Sequence, residues 1–144
     1  MKNFTRSILI AAAVVPQWFA AVPVFAQSFD GAYRGTLNCA KLSWTKAPLT
    51  NEPVSVAIMD GKVSYSRVLY GVDRTTVVGQ ESGTGTLAPD GAITLSGGST
   101  GLLGAMKASY RGKLATGTSI LDGAQSVTYQ GKVEVRACTL QLKF

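Results

Sequence analysis

Apolar and polar residues alternate along most of the chain after residue 26, in runs separated by turn-forming residues about every ten positions. No stretch repeats its apolar residues with a period of 3.6 for three turns, as an amphipathic helix would require. Alternation with a period of two is typical of β-strands that bury one face. The pattern therefore predicts an all-β fold of about eight strands.

The segment 31–39 and the segment 54–70 show this alternation most clearly. In the first segment, Tyr33, Leu37 and Cys39 share one face. The second segment is typical of a hairpin, because Asp60-Gly61 supplies a two-residue turn. That turn places position 58 opposite 63 and position 56 opposite 65, so Arg67 falls on the same face as the apolar residues.

A proline-flanked loop, 40–53, separates the first strand from the hairpin. The remaining predicted strands are 77–87, 92–97, 105–114, 119–129 and 132–143. In the first of these, the odd-numbered positions from Val77 to Leu87 share one face, and Glu81 is among them. We expect that face to point inward.

The last predicted strand changes the phase of its alternation. Val133 and Val135 occupy odd positions, whereas Leu140, Leu142 and Phe144 occupy even ones. A β-bulge inserts one residue and so moves the following side chains to the other face. We therefore expect a bulge near residues 136–138.

An antiparallel meander of eight strands brings the first strand beside the last, and closure removes exposed strand edges. The chain has two cysteines, Cys39 in the first predicted strand and Cys138 in the last. A disulfide needs Cα atoms within about 7 Å, which adjacent strands can provide. We predict an up-and-down barrel closed by a Cys39–Cys138 disulfide; a flattened β-sandwich is the alternative.

The first 26 residues have the features of a secretory signal peptide. Lys2 and Arg6 precede an apolar stretch at 8–15, and small residues at 24 and 26 form a cleavage site. We expect cleavage after Ala26, a single domain over 27–144, and a periplasmic or extracellular location. The apolar stretch is too short to span a membrane.

The net charge is +6, and removal of Lys2 and Arg6 would leave +4. The basic residues are dispersed, unlike the basic and aromatic surfaces that bind nucleic acids. We therefore expect no nucleic-acid partner. The outward faces of several strands carry hydroxyl groups and charges, so we expect no transmembrane span in the mature chain. We also expect a monomer. A small outer-membrane β-barrel is the alternative.

Few residues suited to catalysis are present. The chain has no histidine, and both cysteines are expected to be bonded, so neither an imidazole base nor a thiolate nucleophile is available. Glu81 is the only acid that the alternation places inward, which leaves no recognisable pair of catalytic carboxylates. We predict a protein that is not an enzyme and has no cofactor and no metal site.

Arg67 and Glu81 fall on the inward faces of neighbouring predicted strands, close to Tyr65. One interpretation is a buried ion pair that sets the strand register. The other is a small ligand-binding cavity that these residues would line together with Tyr33 and Tyr110.

Three loop residues are candidates for recognition of a partner: Trp44, Tyr70 and Arg74. Loops on a rigid scaffold commonly carry function. The alternative for Trp44 is a packing role, as a lid on one end of the barrel.

Several segments of the sequence resemble a group of small exported bacterial proteins with two cysteines. They are FDGAYRGTLNC, PVSVAIMDGKVSYSR, GQESGTGTLAPDGAITLSGG, YRGKL and CTLQLKF. This resemblance implies export and a disulfide. The motif Gly-x-Tyr-x-Gly-x-Leu over 31–37 is also similar to the first strand of lipocalin- and avidin-like barrels, although the tryptophan of avidin strands is absent.

Together these features predict an exported, soluble, non-enzymatic β-barrel that binds a small ligand, an envelope component or a protein partner. An inhibitor of an exported hydrolase is a further alternative that is compatible with this fold.

Overall fold

The computed structural model, which describes residues 29–71, 73–99, 101 and 104–144, is an eight-stranded antiparallel barrel. Each strand pairs with the next, and β8 pairs with β1. The strands are β1 (Gly31–Cys39), β2 (Leu49–Met59), β3 (Lys62–Tyr70), β4 (Val77–Leu87), β5 (Ala92–Ser99), β6 (Ala105–Lys113), β7 (Thr118–Tyr129) and β8 (Lys132–Lys143). This confirms the barrel rather than the sandwich. The expected signal peptide lies outside the described residues.

The hairpin of β2 and β3 has the expected register. Asp60 and Gly61 have φ angles of 49° and 72°, as the two central residues of a type I′ turn require. Ile58 pairs with Val63, and Val56 with Tyr65. The local turn chemistry thus sets which residues of the two strands share the inner face.

The predicted disulfide joins the first and last strands. Cys39 lies directly opposite Cys138 in the β1–β8 ladder, with the Cα atoms 4.0 Å apart. The bond spans 99 positions of sequence, and closing a loop of about 100 residues stabilises the fold by roughly 4–5 kcal/mol in the chain-entropy model. It therefore locks the seam at which the barrel closes.

The prediction of a bulge near residues 136–138 is wrong. β8 pairs with β7 without a register shift along its whole length. Val133 and Val135 point outward and are each 64% exposed, while Glu134 and Arg136 occupy the inward positions of the same strand. The alternation keeps one phase along the whole strand. This is possible because the barrel interior is polar where β8 begins, so Glu134 and Arg136 can face it.

A bulge occurs instead in β2, opposite Asn38. Leu37 pairs with Glu52 but Cys39 pairs with Leu49, which leaves an extra residue in β2. Asn51 has a φ of 54°, and its N–H donates to Asn38 Oδ1 at 2.9 Å. This irregular segment belongs to a strand, whereas the sequence predicted a loop through residue 53.

Pro53 is tolerated within β2 because of where it lies. The β2–β3 ladder begins at the pair Ser55–Ser66, so Pro53 lies beyond the part of β2 that needs hydrogen-bond donors toward β3.

The inward position expected for Val77 is also wrong, since this side chain is 62% exposed. Leu69 pairs with Gly79 but Tyr70 pairs with Val77, so β4 contains one extra residue at this point. The insertion rotates Val77 to the outer face. Glu81, beyond the irregularity, keeps its expected inward position.

The two ends of the barrel differ in chemistry. We call the end with the β2–β3, β4–β5 and β6–β7 connections the apolar end, and the opposite end the loop end. At the apolar end, the ring of Phe144 packs against the rings of Tyr33 and Phe29, with centroid distances of 4.4 Å and 5.5 Å. The core extends inward from there and includes Leu37, Val54, Val56, Ile58, Val63, Ile93, Leu95, Leu121, Leu140 and Leu142.

Candidate functional site

The carboxylate of Glu81 lies at the centre of a buried group of polar side chains and is 0% exposed. It accepts hydrogen bonds from Arg67 Nε at 2.5 Å, Tyr110 Oη at 3.1 Å, Tyr65 Oη at 3.2 Å and Gln125 Nε2 at 3.1 Å. Arg67 and Glu81 are directly opposed in the β3–β4 ladder. The sequence placed both residues correctly, and the barrel adds partners from β6 and β7.

Gln125 links this carboxylate to a second guanidinium group. Its Nε2 donates to Glu81 and to Tyr110 Oη at 2.9 Å, while its Oε1 accepts from Arg136 Nε at 3.0 Å and Nη2 at 2.7 Å. A carboxylate on one side and a guanidinium on the other determine the orientation of the amide. We call Tyr65, Arg67, Glu81, Tyr110, Gln125 and Arg136 the polar cluster.

Two members of the polar cluster, Gln125 and Arg136, were not predicted from the sequence. Gln125 is in phase with Leu121 on the inward face of β7, so the alternation of that strand contained the signal. Arg136 was missed because the expected bulge in β8 placed it at a kink. Its inward position follows only from the regular pairing of β7 with β8.

Glycines on the inner wall make room for the two buried tyrosine rings. A Cβ at Gly83 or Gly97 would overlap the side chain of Tyr65, and one at Gly123 would overlap the ring of Tyr110. The two rings meet edge to face with their centroids 5.8 Å apart. The tyrosine rings therefore fill the space beside these glycines, so the glycines do not enlarge the interior.

Burial governs the ionisation of the polar cluster. It raises the pKa of Tyr65 and of Tyr110, and the negative charge of Glu81 raises both further. The pKa of Arg136 is lowered, first by burial and then by the positive charge of Arg67. Both tyrosines are therefore neutral hydrogen-bond donors to Glu81 at neutral pH.

The centre of the barrel is tightly packed. The gap at the cluster has no room for a water molecule; its lining residues are Leu37, Val54, Tyr65, Arg67, Glu81, Tyr110 and Leu140. At this level the side chains fill the interior, which favours the ion-pair interpretation of Arg67 and Glu81 over a central ligand cavity.

Tyr33, expected beside these residues, lies instead at the apolar end. Its hydroxyl donates to the carbonyl of Phe29 at 2.7 Å, and its ring packs on Phe144. The strand alternation assigned its face correctly but contained no information on its depth along the barrel.

Trp44 lies over the loop end of the barrel. Its ring is 5.9 Å from that of Tyr129, measured between centroids. The neighbouring Ser43 donates through its N–H and its hydroxyl to the carboxylate of Glu134, and Leu42 is buried. These contacts hold the β1–β2 loop against the barrel, as the lid interpretation of Trp44 expects.

The other two loop candidates lie at the β3–β4 connection. Tyr70 is exposed at the end of β3. Arg74 adopts a φ of 56°, and its guanidinium lies 3.9 Å from the carboxylate of Glu52. Hydrogen bonds from Thr76 and Thr75 lower the pKa of Asp73 in the same turn.

The outer surface of β1, β2 and β3 carries a shallow groove of about 430 Å³. Its outward-facing lining is mostly small: Ala32, Arg34, Ser55, Ala57, Ser64 and Ser66. The groove contains one charged side chain and no acid, so it offers no pair of groups for acid–base chemistry.

Among the described residues, no three His, Cys, Asp or Glu side chains are grouped as a metal site would require. That part of the chain also contains no helix long and apolar enough to cross a membrane. No protein-family model matches this chain, and no significant similarity to a curated protein or a solved structure was found, so the resemblance to exported two-cysteine proteins stays a prediction.

Proposed function

We propose that this protein is an exported, non-enzymatic binding module that engages its ligand or partner at the loop end of the barrel. The observation that carries the proposal is the asymmetry of the interior. Aromatic side chains plug the apolar end, whereas the inward positions of β8 at the loop end hold the partly exposed Glu134 and Arg136. Polar groups with directional hydrogen bonds are what a specific binding site requires.

Export is supported by two features. The disulfide is a bond that persists in oxidising compartments and is rare in the cytosol. The sequence features of residues 1–26 are those of a signal peptide.

The outer surface favours a barrel that faces water over an outer-membrane barrel. The outward positions of β6 include Lys107, Arg111 and Lys113, all exposed. In an outer-membrane barrel such positions would face hydrocarbon, where Lys or Arg costs about 2–4 kcal/mol at the midplane. The hydroxyl-rich outer face of β4 offers no apolar band either.

Native mass spectrometry of the protein isolated from the cells that produce it would test the proposal. We expect the mass of a chain beginning at Gln27, accompanied by a second species that corresponds to a bound ligand or partner. A bound hydrolase would point to the inhibitor alternative. Recovery of the protein only in the membrane fraction, or as the bare chain under every condition, would contradict the proposal.

A matched pair of variants would locate the binding surface. Trp44→Ala, at the loop end, should reduce the fraction of the bound species, whereas Met59→Ala, at the apolar end, should not. Both side chains are large and lie outside the polar cluster. An equal effect of the two variants would contradict binding at the loop end.

A further inference from the structure

The polar cluster has more hydrogen-bond donors than acceptors. Of the five N–H groups of each guanidinium, Arg67 uses only its Nε–H, toward Glu81, and Arg136 uses Nε and Nη2, toward Gln125. Glu81 already accepts bonds from four residues, and Gln125 Oε1 accepts both bonds from Arg136. The remaining donors of the two guanidinium groups therefore have no acceptor within the cluster.

Within its six residues, the polar cluster carries one excess positive charge, because it contains two arginines and one glutamate. Glu134, two positions before Arg136 on the inward face of β8, and Glu52 lie nearer the loop end. Ser43 donates hydrogen bonds to the carboxylate of Glu134, and Glu52 faces Arg74. Among the described residues, neither of these acids forms an ion pair with Arg67 or Arg136. A net charge this deep in a protein is costly unless a counter-charge accompanies it.

The unused donors are within reach of solvent, although the side chain of Arg67 is only 3% exposed. Every fully buried side-chain nitrogen or oxygen of the described residues has a hydrogen-bond partner. The terminal nitrogens of Arg67 have none, so they are not fully buried and keep a small contact with solvent. Arg136 is partly exposed and lies closer to the loop end, which is therefore the side of entry.

We propose that the guanidinium groups of Arg67 and Arg136 together bind a monovalent carboxylate that enters from the loop end. The planar fork of a guanidinium matches the two oxygens of a carboxylate. One negative charge balances the single excess positive charge, whereas a doubly charged phosphate would leave a net negative charge beside Glu81. The inference deepens the proposed function and rests on it, since it names the chemical class of the ligand.

Thermal unfolding in acetate tests the proposal with the simplest carboxylate. We expect the Tm of the mature protein at pH 7 to rise with acetate concentration, by about 5–10 °C far above Kd. The reference solutions are chloride at equal ionic strength and acetamide, which has nearly the same shape but no charge. A rise of the same size in acetamide, or no rise in acetate, would overturn the inference.

Variants of Arg136 assign the effect to the site. Arg136→Gln should abolish the rise in acetate, and Arg136→Lys, which keeps the charge but loses the fork, should weaken acetate binding roughly tenfold. Arg111→Gln, on the outer face of β6, should respond like the wild type. Because the response is measured relative to each variant's own Tm in chloride, a general loss of stability does not imitate it. An unchanged acetate response in Arg136→Gln would overturn the inference.

The carboxylate could belong to a small acid or to the C-terminus of a partner chain. N-acetylglycine compared with its amide separates these sources: binding at least tenfold tighter than acetate indicates a chain end, and equal binding indicates a small acid. An absent acetate response together with a bound partner in native mass spectrometry would contradict only the carboxylate. A rise of Tm in acetate without any bound species in native mass spectrometry would contradict only the proposed function.

Discussion

At the scale of single residues, the stability of the interior depends on how Glu81 is neutralised. Its carboxylate is fully buried and receives hydrogen bonds from side chains of β3, β6 and β7. Removing one partner of a buried ion pair leaves the other charge uncompensated, which typically costs about 3–5 kcal/mol. Arg67 and Glu81 therefore depend on each other whether or not a ligand binds nearby.

Glu81→Gln should lower the free energy of unfolding by about 3–5 kcal/mol, because Arg67 loses its counter-charge inside the barrel. Urea denaturation measures the change. Asp122→Asn, on the exposed outer face of β7, serves as the control and should change stability by less than about 0.5 kcal/mol. Similar values for the two variants would show that the buried pair contributes no special stability.

The buried tyrosines should make the protein sensitive to alkaline pH. An unfolded tyrosine ionises near pH 10, whereas burial and the charge of Glu81 raise the folded pKa of Tyr65 and Tyr110 above that value. The folded state then holds protons that the unfolded state has lost, so their contribution is complete below about pH 10 and falls as the pH rises further. Tm values between pH 8 and 11 should show this decline.

A double variant, Tyr65→Phe with Tyr110→Phe, isolates the tyrosines from other groups that titrate at high pH. It should be less stable than the wild type at pH 8, since two hydrogen bonds to Glu81 are lost at about 1 kcal/mol or more each. Its Tm should decline less steeply above pH 10. Parallel declines in the two proteins would contradict the assignment to these side chains.

At the scale of strands, β8 shows how a polar interior changes the meaning of an alternating pattern. Its valines face outward and its charged residues face inward near the loop end, yet Leu140 and Leu142 are fully inward farther along the same uninterrupted strand. The same alternation of inward and outward positions fits both halves of β8, because the barrel interior changes from polar to apolar along its axis.

The regular pairing of β8 predicts opposite outcomes for similar substitutions. Val135→Ser should change the free energy of unfolding by less than about 0.5–1 kcal/mol because the side chain is exposed. Leu140→Ala removes a buried side chain and should cost about 2–5 kcal/mol. Chemical denaturation measures both. A cost for Val135→Ser comparable to that of Leu140→Ala would restore the bulge that the sequence pattern suggested.

At the scale of the whole molecule, closure of the barrel depends on one seam, where β1 and β8 meet. This ladder has five residue pairs, compared with twelve between β7 and β8. The disulfide lies at the loop-end limit of the short ladder. It holds together the pair of strands most distant in sequence, whose association carries the largest loss of chain entropy.

Replacement of both cysteines by alanine should therefore destabilise the protein by about 4–5 kcal/mol, the entropy of a loop of this length. The double replacement avoids a free thiol. The comparison is made by urea denaturation against the oxidised wild type, with the reduced wild type as a second reference. Stability within about 1 kcal/mol of the oxidised protein would show that the ladder alone closes the barrel.

The number of strands, their order and the pairing of Arg67 with Glu81 could be predicted because they depend on local signals. Turn residues such as Asp60-Gly61 set the register of a hairpin, and a period of two assigns neighbouring side chains to faces. The bulge in β2, the exposure of Val77 and the depth of Tyr33 could not be predicted. They depend on how strands of unequal length align once the sheet curves and closes.

The sequence by itself determined an all-β chain with eight strands, two cysteines at opposite ends of the meander and inward positions for Arg67 and Glu81 on neighbouring strands, because alternation and turn chemistry act over a few residues. Only the tertiary structure decided that the inward face of β8 is charged near the loop end and that Gln125 and Arg136 complete the polar cluster. The physical reason is that the environment of an inward side chain is formed by the other strands. Whether a face is buried among apolar or polar partners becomes defined only when the barrel closes.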